Sequence, residues 1–573
     1  MIGITLFRRI AIATLCSVTV IVWQRPSPAT QATWGTQGMV VSANGFASEA
    51  GLKQLQAGGN AVDAAVATTF AISVLEPQSA GIGGGGFLLW RSPQGKIEAL
   101  DFRERAPLAA TREMYLDAEG KVKPEASTAG YLAVGVPGTV AGLYEVHQRY
   151  GRLPWAQVVA PAIQLAEQGF RVSPRLAAAI AGQKRLQQNA AATAIFYPQG
   201  QPLQVGDRLV QRDLGQTLRA IAANPQSFYT GPIARAIVQD MQANRGLITQ
   251  ADLQTYRPLW RDPVCGNFRA ARVCSMPPPS SGGVHLVQML NMLNGTNFLT
   301  LGWHDPDALH RLIETMRIAY ADRAEFLGDP DFVKVPVAAL TSPAYAQRRA
   351  QEIDPRQARP FDQVRPGDRA TIQRYSQGKQ SNDTSHLSVV DGEGGAISLT
   401  FTVNLWFGSG VVTPGTGIVL NNEMDDFASA PGVPNAFGLV GNEANAIAPR
   451  KTPLSSMTPT IVTENNQLRM VVGAPGGSTI ITTVLQIILN VLVYDLNAKQ
   501  AIAAARLHHQ WLPNTVRLEK NGFDRLTVAE LQRRGHKVEE QASWGNAAVI
   551  IRQPDGLLEG ASDPRGEGAA AGY

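Results

Sequence analysis

The strongest alternation of apolar and polar positions lies at 383–404, Asp-Thr-Ser-His-Leu-Ser-Val-Val-Asp-Gly-Glu-Gly-Gly-Ala-Ile-Ser-Leu-Thr-Phe-Thr-Val-Asn. Leu387 and Val389 precede a glycine-rich centre, and Ile397, Leu399, Phe401 and Val403 follow it. That period of two predicts a hairpin with its loop at Asp391 to Gly395. A loop symmetric about Glu393 sets Thr384 opposite Thr402, on a face shared with Ser398, Thr400 and Asn404. Taken alone, this is an antiparallel hairpin with one wet side.

Helical spacing dominates residues 130–240, with a turn at Val136-Pro137-Gly138 and apolar positions around Val158 to Leu165. After Asp305-Pro306, Leu309, Leu312, Ile313, Met316, Ala319 and Tyr320 fall on one face of an amphipathic helix. The small residues Ala61 to Ala67 predict a closely packed helix. A rigid turn at 277–283 precedes a helix from Val284 to Leu293. Strands are expected at Ile97 to Phe102, near Thr460 to Thr463, and from Leu468 to Ala474. The stretch from about Ser478 to Tyr494 is apolar nearly all round, but Thr482, Thr483, Gln486 and Asn490 interrupt it, so it reads as a buried central helix rather than a membrane span. Between Asp354 and Ser381 only Phe361, Val364, Ile372 and Tyr375 are large and apolar, the pattern of an exposed linker.

With 573 residues, 44% hydrophobic and 17% charged, the chain is a soluble globular protein with a large core, in two lobes or one layered fold. A net charge of +5 without a long Lys/Arg run describes a scattered basic surface and argues against nucleic-acid binding. Arg8-Arg9, the apolar run Ile10 to Trp23 and then Ser27-Pro28-Ala29 read as a removable export signal over residues 1–29. The run is shorter than the ~20 residues of a stable span. Leu15 before Cys16 argues against a lipoprotein signal. A turn at Arg269-Ala270 places Cys265 opposite Cys274, which predicts a cross-strand disulfide in an oxidising compartment; neither has metal-ligand spacing. Gly81 to Gly86 satisfies GxGxxG, yet Phe87-Leu88-Leu89-Trp90 after it reads as a strand, which excludes a dinucleotide loop.

Thr384-Ser385-His386, with Ser388-Val389-Val390-Asp391, resembles the segment that begins the small subunit of γ-glutamyltransferases. The resemblance runs from about Gly38 to Gly560-Ala561-Ser562-Asp563-Pro564-Arg565 and includes Tyr320-Ala321-Asp322-Arg323 and His508-His509-Gln510-Trp511. It implies an α+β fold, the four-layer αββα sandwich of N-terminal-nucleophile hydrolases. It also implies a heterodimer made from one precursor that cleaves itself between Asp383 and Thr384, giving a large subunit of 30–383 and a small one of 384–573. Thr384 would then be the nucleophile, with its own α-amino group, of reference pKa about 7.7 to 8.0, as base. Thr402 would hold its hydroxyl. Gly476 and Gly477, where Ala474-Pro475-Gly476-Gly477 turns from strand into helix, would form the oxyanion hole.

By the same resemblance, Arg103, Ser455 and Ser456 bind the α-carboxylate of a γ-glutamyl donor. Asp426 binds its α-ammonium with help from Glu423 and Asn404. The expected substrates are glutathione and other γ-glutamyl amides, with water, amino acids or peptides as acceptors and no metal or organic cofactor. Adjacent histidines on a helix diverge, so His508 and His509 read as structural. Phe437 stands where some relatives carry a tyrosine that hydrogen-bonds the site's asparagine, which implies a weaker lid latch. The rivals are a glutaryl-cephalosporin acylase, a poly-γ-glutamate depolymerase and a non-catalytic exported binding protein. The expected location is periplasmic or secreted, with anchoring by an uncleaved signal as the alternative.

Overall fold

The 383–404 pattern folds as its periodicity requires. In the computed structural model, which describes residues 32–367 and 384–573, strands Ser385–Val390 and Ala396–Thr402 pair antiparallel in the register symmetric about Glu393. The loop between them is closed by Asp391 Oδ1, which accepts the N–H groups of Glu393 and Gly395 at 3.0 and 2.7 Å. The export signal, the 368–381 part of the linker and Asp383 lie outside the described residues.

This hairpin is the middle of a seven-stranded antiparallel sheet ordered Ala569–Gly572, Met39–Ser42, Ser385–Val390, Ala396–Thr402, Gly85–Arg91, Ile97–Asp101 and Leu259–Arg261. A second seven-stranded antiparallel sheet runs Thr33–Gly35, Leu558–Ser562, Ala548–Arg552, Gln467–Gly473, Thr460–Glu464, Ala271–Ser275 and Val264–Phe268. The sheets lie face to face. Ser398 Oγ donates to Val472 O at 3.1 Å and Ser388 Oγ to Ala548 O at 3.2 Å, while the His386 ring fills the space left by Gly473. The hydroxyl face expected to be wet is therefore buried, and every residue of both hairpin strands is inaccessible. Ser388 and Ser398 tolerate this because the partner sheet's carbonyls accept their protons, and Thr400 because it bonds the His386 ring at 2.8 Å.

The hairpin's apolar face, Leu387, Val389, Ile397, Leu399 and Phe401, packs into one core with helix Ala61–Leu75. That helix is buried along its whole length and starts in a capping box of Asn60 and Asp63. Asp391 also accepts Ala61 N at 3.0 Å, which fastens the hairpin turn to the helix. Helices Gly282–Asn294, Pro306–Phe326 and Ile480–Leu492 cover the other sheet in a second core. The result is an α+β, four-layer αββα sandwich.

Cys265 and Cys274 face each other across their strands and are bonded. The Gly81–Gly86 segment runs directly into strand Gly85–Arg91, as expected of a non-nucleotide loop. Two readings change. The linker docks before residue 368: Val364 is buried, its carbonyl accepts the Trp511 indole N–H at 2.9 Å, and Asp322 accepts Gly367 N at 2.9 Å. His508 ends a short strand, Leu507–His508, rather than sitting on a helix; its ring nitrogens bond Thr482 and Gln510, a structural role. Among the described residues no helix is long and apolar enough to cross a membrane, and none of the His, Cys, Asp and Glu side chains gather into a group able to hold a metal ion.

Candidate active site

Thr384 stands at the start of the first hairpin strand and Thr402 at the end of the second, so the register alone brings their side chains together. The two Oγ1 atoms are 3.1 Å apart, and Thr402 Oγ1 also accepts the Asn404 N–H at 2.8 Å. Thr384 has φ of +107°, a region that branched side chains avoid, and such strain costs of order 1–3 kcal/mol. Asn404 sits at φ +75°, which asparagine tolerates, and donates from Nδ2 to Asn422 O at 3.0 Å.

One cavity is lined by Thr384, Thr402, Asn404, Arg103, Glu423, Asp426, Ser455, Ser456 and Gly477, together with Phe437 and Leu439. The structure thus gathers nine of the ten residues to which a catalytic or substrate-binding role was assigned. The tenth, Gly476, is the adjoining turn residue. Gly476 and Gly477 have φ of +132° and +54°, and the turn leads through Gly477–Thr479 into helix Ile480–Leu492. Amide N–H groups at such a helix start lack intrahelical partners and point outward. Tyr320 donates its hydroxyl to Ser478 O at 2.5 Å and braces this turn.

The charged end of the cavity is built on Arg103, which is 1% exposed. Nε donates to Pro453 O at 2.9 Å, Nη1 meets Glu423 at 2.8 Å and Nη2 meets Asp426 at 2.5 Å. Burial opposes the Arg103 charge, but Glu423, Asp426 and Glu104 hold its pKa above the ordinary value. Glu104 and Glu423 face each other. Neither Glu104 carboxylate oxygen nor Glu423 Oε2 finds a donor among the described residues, an arrangement that favours the protonated form of the pair. Burial pushes both pKa values up, that of Glu104 to about 7. The backbone of this end is set by Asn421, whose Nδ2 donates to Gly83 O and Gly135 O at 2.8 Å each and whose Oδ1 accepts Glu423 N at 3.0 Å.

The lid is held by bonds that the sequence reading missed. Asn435 Nδ2 donates to Asp426 Oδ1 at 3.0 Å, Asp425 accepts Ala436 N at 2.9 Å, and Gln510 Nε2 donates to Phe437 O at 3.2 Å. Burial raises the Asp425 pKa to about 6. The Phe437 ring covers Gly477, where a β-carbon would come within 2.4 Å of it. Backbone and amide ties thus hold this loop over the turn. Arg323 was also missed: it reaches Ser281 and Ser456 from the helix behind the cavity. A charge three residues after Tyr320, continuing the helix face that carries Met316, Ala319 and Tyr320, was the available signal.

The family model described as Gamma-glutamyltranspeptidase matches residues 47–573. The chain is 46% identical to the "Glutathione hydrolase proenzyme" of Escherichia coli (strain K12), covering 100% of both chains. It is 40% identical to the "Acylase ACY 1 proenzyme" of Pseudomonas sp. (strain V22), covering 93% of each. The crystal structure of cephalosporin acylase from Bacillus halodurans superposes with a TM-score of 0.83 at 31% identity, over 97% of this chain and 99% of that one. The chain belongs to the γ-glutamyltranspeptidase family.

Proposed function

We propose that this protein is a self-processing γ-glutamyltransferase and glutathione hydrolase with Thr384 as nucleophile. The observation that carries the reading is that Thr384 shares one cavity with a cationic pole, Arg103, and an anionic pole, Asp426 with Glu423. A γ-glutamyl head group carries both opposite charges on one carbon. Its α-carboxylate is taken by Arg103, Ser455 and Ser456, and its α-ammonium by Asp426, Glu423 and Asn404. Until the donor arrives the two poles neutralise each other through Arg103.

In the precursor the Thr384 nitrogen is an amide without basicity. Attack of Oγ1 on the carbonyl carbon of residue 383 breaks the C–N bond as the hydroxyl proton passes to the nitrogen, giving an ester and a free α-amino group; water then hydrolyses the ester to the residue 383 carboxylate and restores the Thr384 hydroxyl. The φ strain at Thr384 is relieved in the same step. In the mature enzyme that amine takes the Oγ1 proton as the oxygen attacks the γ-carbonyl. The oxyanion is received by the N–H groups of Gly476 and Gly477. Collapse expels the amine, which leaves with the proton, and water or an acceptor amine resolves the γ-glutamyl-Thr384 ester. The reading divides the chain into residues 30–383 and 384–573, which stay paired, and makes 1–29 an export signal to the periplasm or exterior.

The alternative reading takes a glutaryl side chain as donor, and the relatives named acylases fit that alternative. A glutaryl group has no α-ammonium, so the acid pole around Asp426 argues against it. The test is intact mass and N-terminal sequencing of protein incubated alone, followed by turnover of γ-glutamyl and glutaryl anilides. A small fragment beginning Thr-Ser-His-Leu and preference for the γ-glutamyl compound are expected. Glutaryl preference would overturn the substrate, and an uncut chain the mechanism. Thr384→Ala is expected to fold, remain uncut and show no turnover; efficient cleavage of that variant would refute the nucleophile.

A further inference from the structure

Arg323 is a buried guanidinium with neutral partners only. It is 5% exposed, donates from Nε to Ser281 Oγ at 3.1 Å and from Nη2 to Ser456 Oγ at 3.3 Å, and forms no ion pair among the described residues. Burial lowers its pKa to about 10 against the attraction of Tyr320 and Asp426, with Arg103 opposing. A buried charge without a counter-ion is costly, and its retention calls for a task.

The task follows from counting hydroxyl valences. A serine oxygen has one proton to give and two lone pairs to fill. Ser455 Oγ accepts the Met457 N–H at 3.0 Å, and Ser456 Oγ accepts Arg323. Each oxygen thus has an N–H on one lone pair, and neither hydroxyl donates among the described residues, so both protons are left for an acceptor entering the cavity that these serines line. Arg323 is absent from that lining and acts from behind Ser456. We infer that Arg323 is a positioning residue for the carboxylate end of the donor: its N–H on one lone pair of Ser456 turns the hydroxyl proton away from the guanidinium and toward the α-carboxylate.

The helix makes this placement exact enough to matter. Tyr320, one turn earlier, holds the oxyanion turn at Ser478 O, while Asp322 anchors the helix from its other side to Gln288, Tyr345 and Gly367. A single face of Pro306–Phe326 therefore sets both the carboxylate hydroxyl and the oxyanion turn. The charge also polarises the Ser456 hydroxyl and makes it a stronger donor.

The inference rests on the γ-glutamyl reading, and its test separates the two. Inhibition constants are measured for L-glutamate, glutarate, which lacks the ammonium, and 4-aminobutanoate, which lacks the carboxylate, against γ-glutamyl anilide turnover. Wild type, Arg323→Gln, Arg323→Lys, Ser456→Ala and the Arg323→Gln/Ser456→Ala double variant are compared after intact mass confirms the cut. If 4-aminobutanoate binds the wild type as well as glutamate does, the γ-glutamyl reading itself fails. If Arg323 positions Ser456, Arg323→Gln weakens glutamate and glutarate by about tenfold or more and leaves 4-aminobutanoate unchanged. KM then rises more than kcat falls, and Ser456→Ala adds no further loss in the Gln background. Equal losses for all three compounds, or additive losses in the double variant, would overturn the role. Should Arg323→Gln fail to mature, Arg323→Lys, which keeps the charge and loses the fork, carries the same three-way comparison with a smaller loss.

Discussion

At the scale of single residues, Thr402 is the neighbour whose loss touches the nucleophile and nothing charged. Its Oγ1 lies 3.1 Å from Thr384 Oγ1 and receives Asn404 N at 2.8 Å. Thr402→Val keeps the shape of the side chain and removes both bonds. The expected result is a fall in kcat of about tenfold or more with KM nearly unchanged, since the hydroxyl orients an attack rather than binding the donor. Unaltered kcat would show that Thr384 needs no such partner. Gly477 offers a second reading of the turn. At φ of +54° an alanine is strained, and its β-carbon would meet the Phe437 ring at 2.4 Å. Gly477→Ala should cost more than tenfold in kcat, from about 1–2 kcal/mol of left-handed strain plus the displaced lid. Adding Phe437→Ala should recover the part due to the ring. No recovery would assign the whole loss to the turn.

At the scale of elements, the hairpin register was legible because a strict period of two and a symmetric loop leave one pairing that keeps Leu387, Val389, Leu399 and Phe401 on one face. What covers the opposite face was not. Alternation distinguishes apolar from polar, yet Ser388 and Ser398 satisfy carbonyls of a second sheet as well as they would satisfy water. The lid's ties were hidden for a related reason. Asn435 and Ala436 are ordinary loop residues until the chain returns them to Asp426 and Asp425. Arg323 stood within a motif that the resemblance includes, but its role depends on Ser456, 133 residues away. The lid ties can be tested as an element. Asn435→Ala removes the bond to Asp426 and frees Phe437 N and Leu439 N, both of which Asn435 Oδ1 accepts. We expect donor KM to rise severalfold, with faster proteolytic nicking between Pro431 and Gly441 than in the wild type. Unchanged nicking would mean that Asp425 and Gln510 hold the lid without it.

At the scale of the whole molecule, the sandwich buries almost all of its histidine. Of eight in the chain, seven have their pKa pushed down, in each case first by burial. His304 falls to about 4, and His386, His508 and His536 to about 3. An unfolded histidine takes a proton near pH 6.5, so their contribution to stability is present above that pH and is lost as pH falls toward 3. Glu76 and Glu104, raised to about 7, and Asp425, raised to about 6, act in the opposite sense: their contribution is present at low pH and lost as pH rises through those values. The two sets offset each other between roughly pH 4.5 and 6.5; below that these three carboxyls are protonated in both states, and the histidines act together with carboxylates whose pKa is lowered in the fold, Asp63 and Asp563 among them. Stability should therefore fall steeply only below about pH 4.5. The pair His310 and His536, joined at 2.8 Å between Nδ1 and Nε2, is the place to test this. His536→Gln is expected to lower the melting temperature at pH 7, because it disrupts a buried hydrogen bond. It should also make the further fall between pH 5 and pH 3.5 shallower, by about 1.4 kcal/mol per pH unit for the one histidine removed. Parallel melting curves for variant and wild type across that range would show that acid unfolding is driven by other groups.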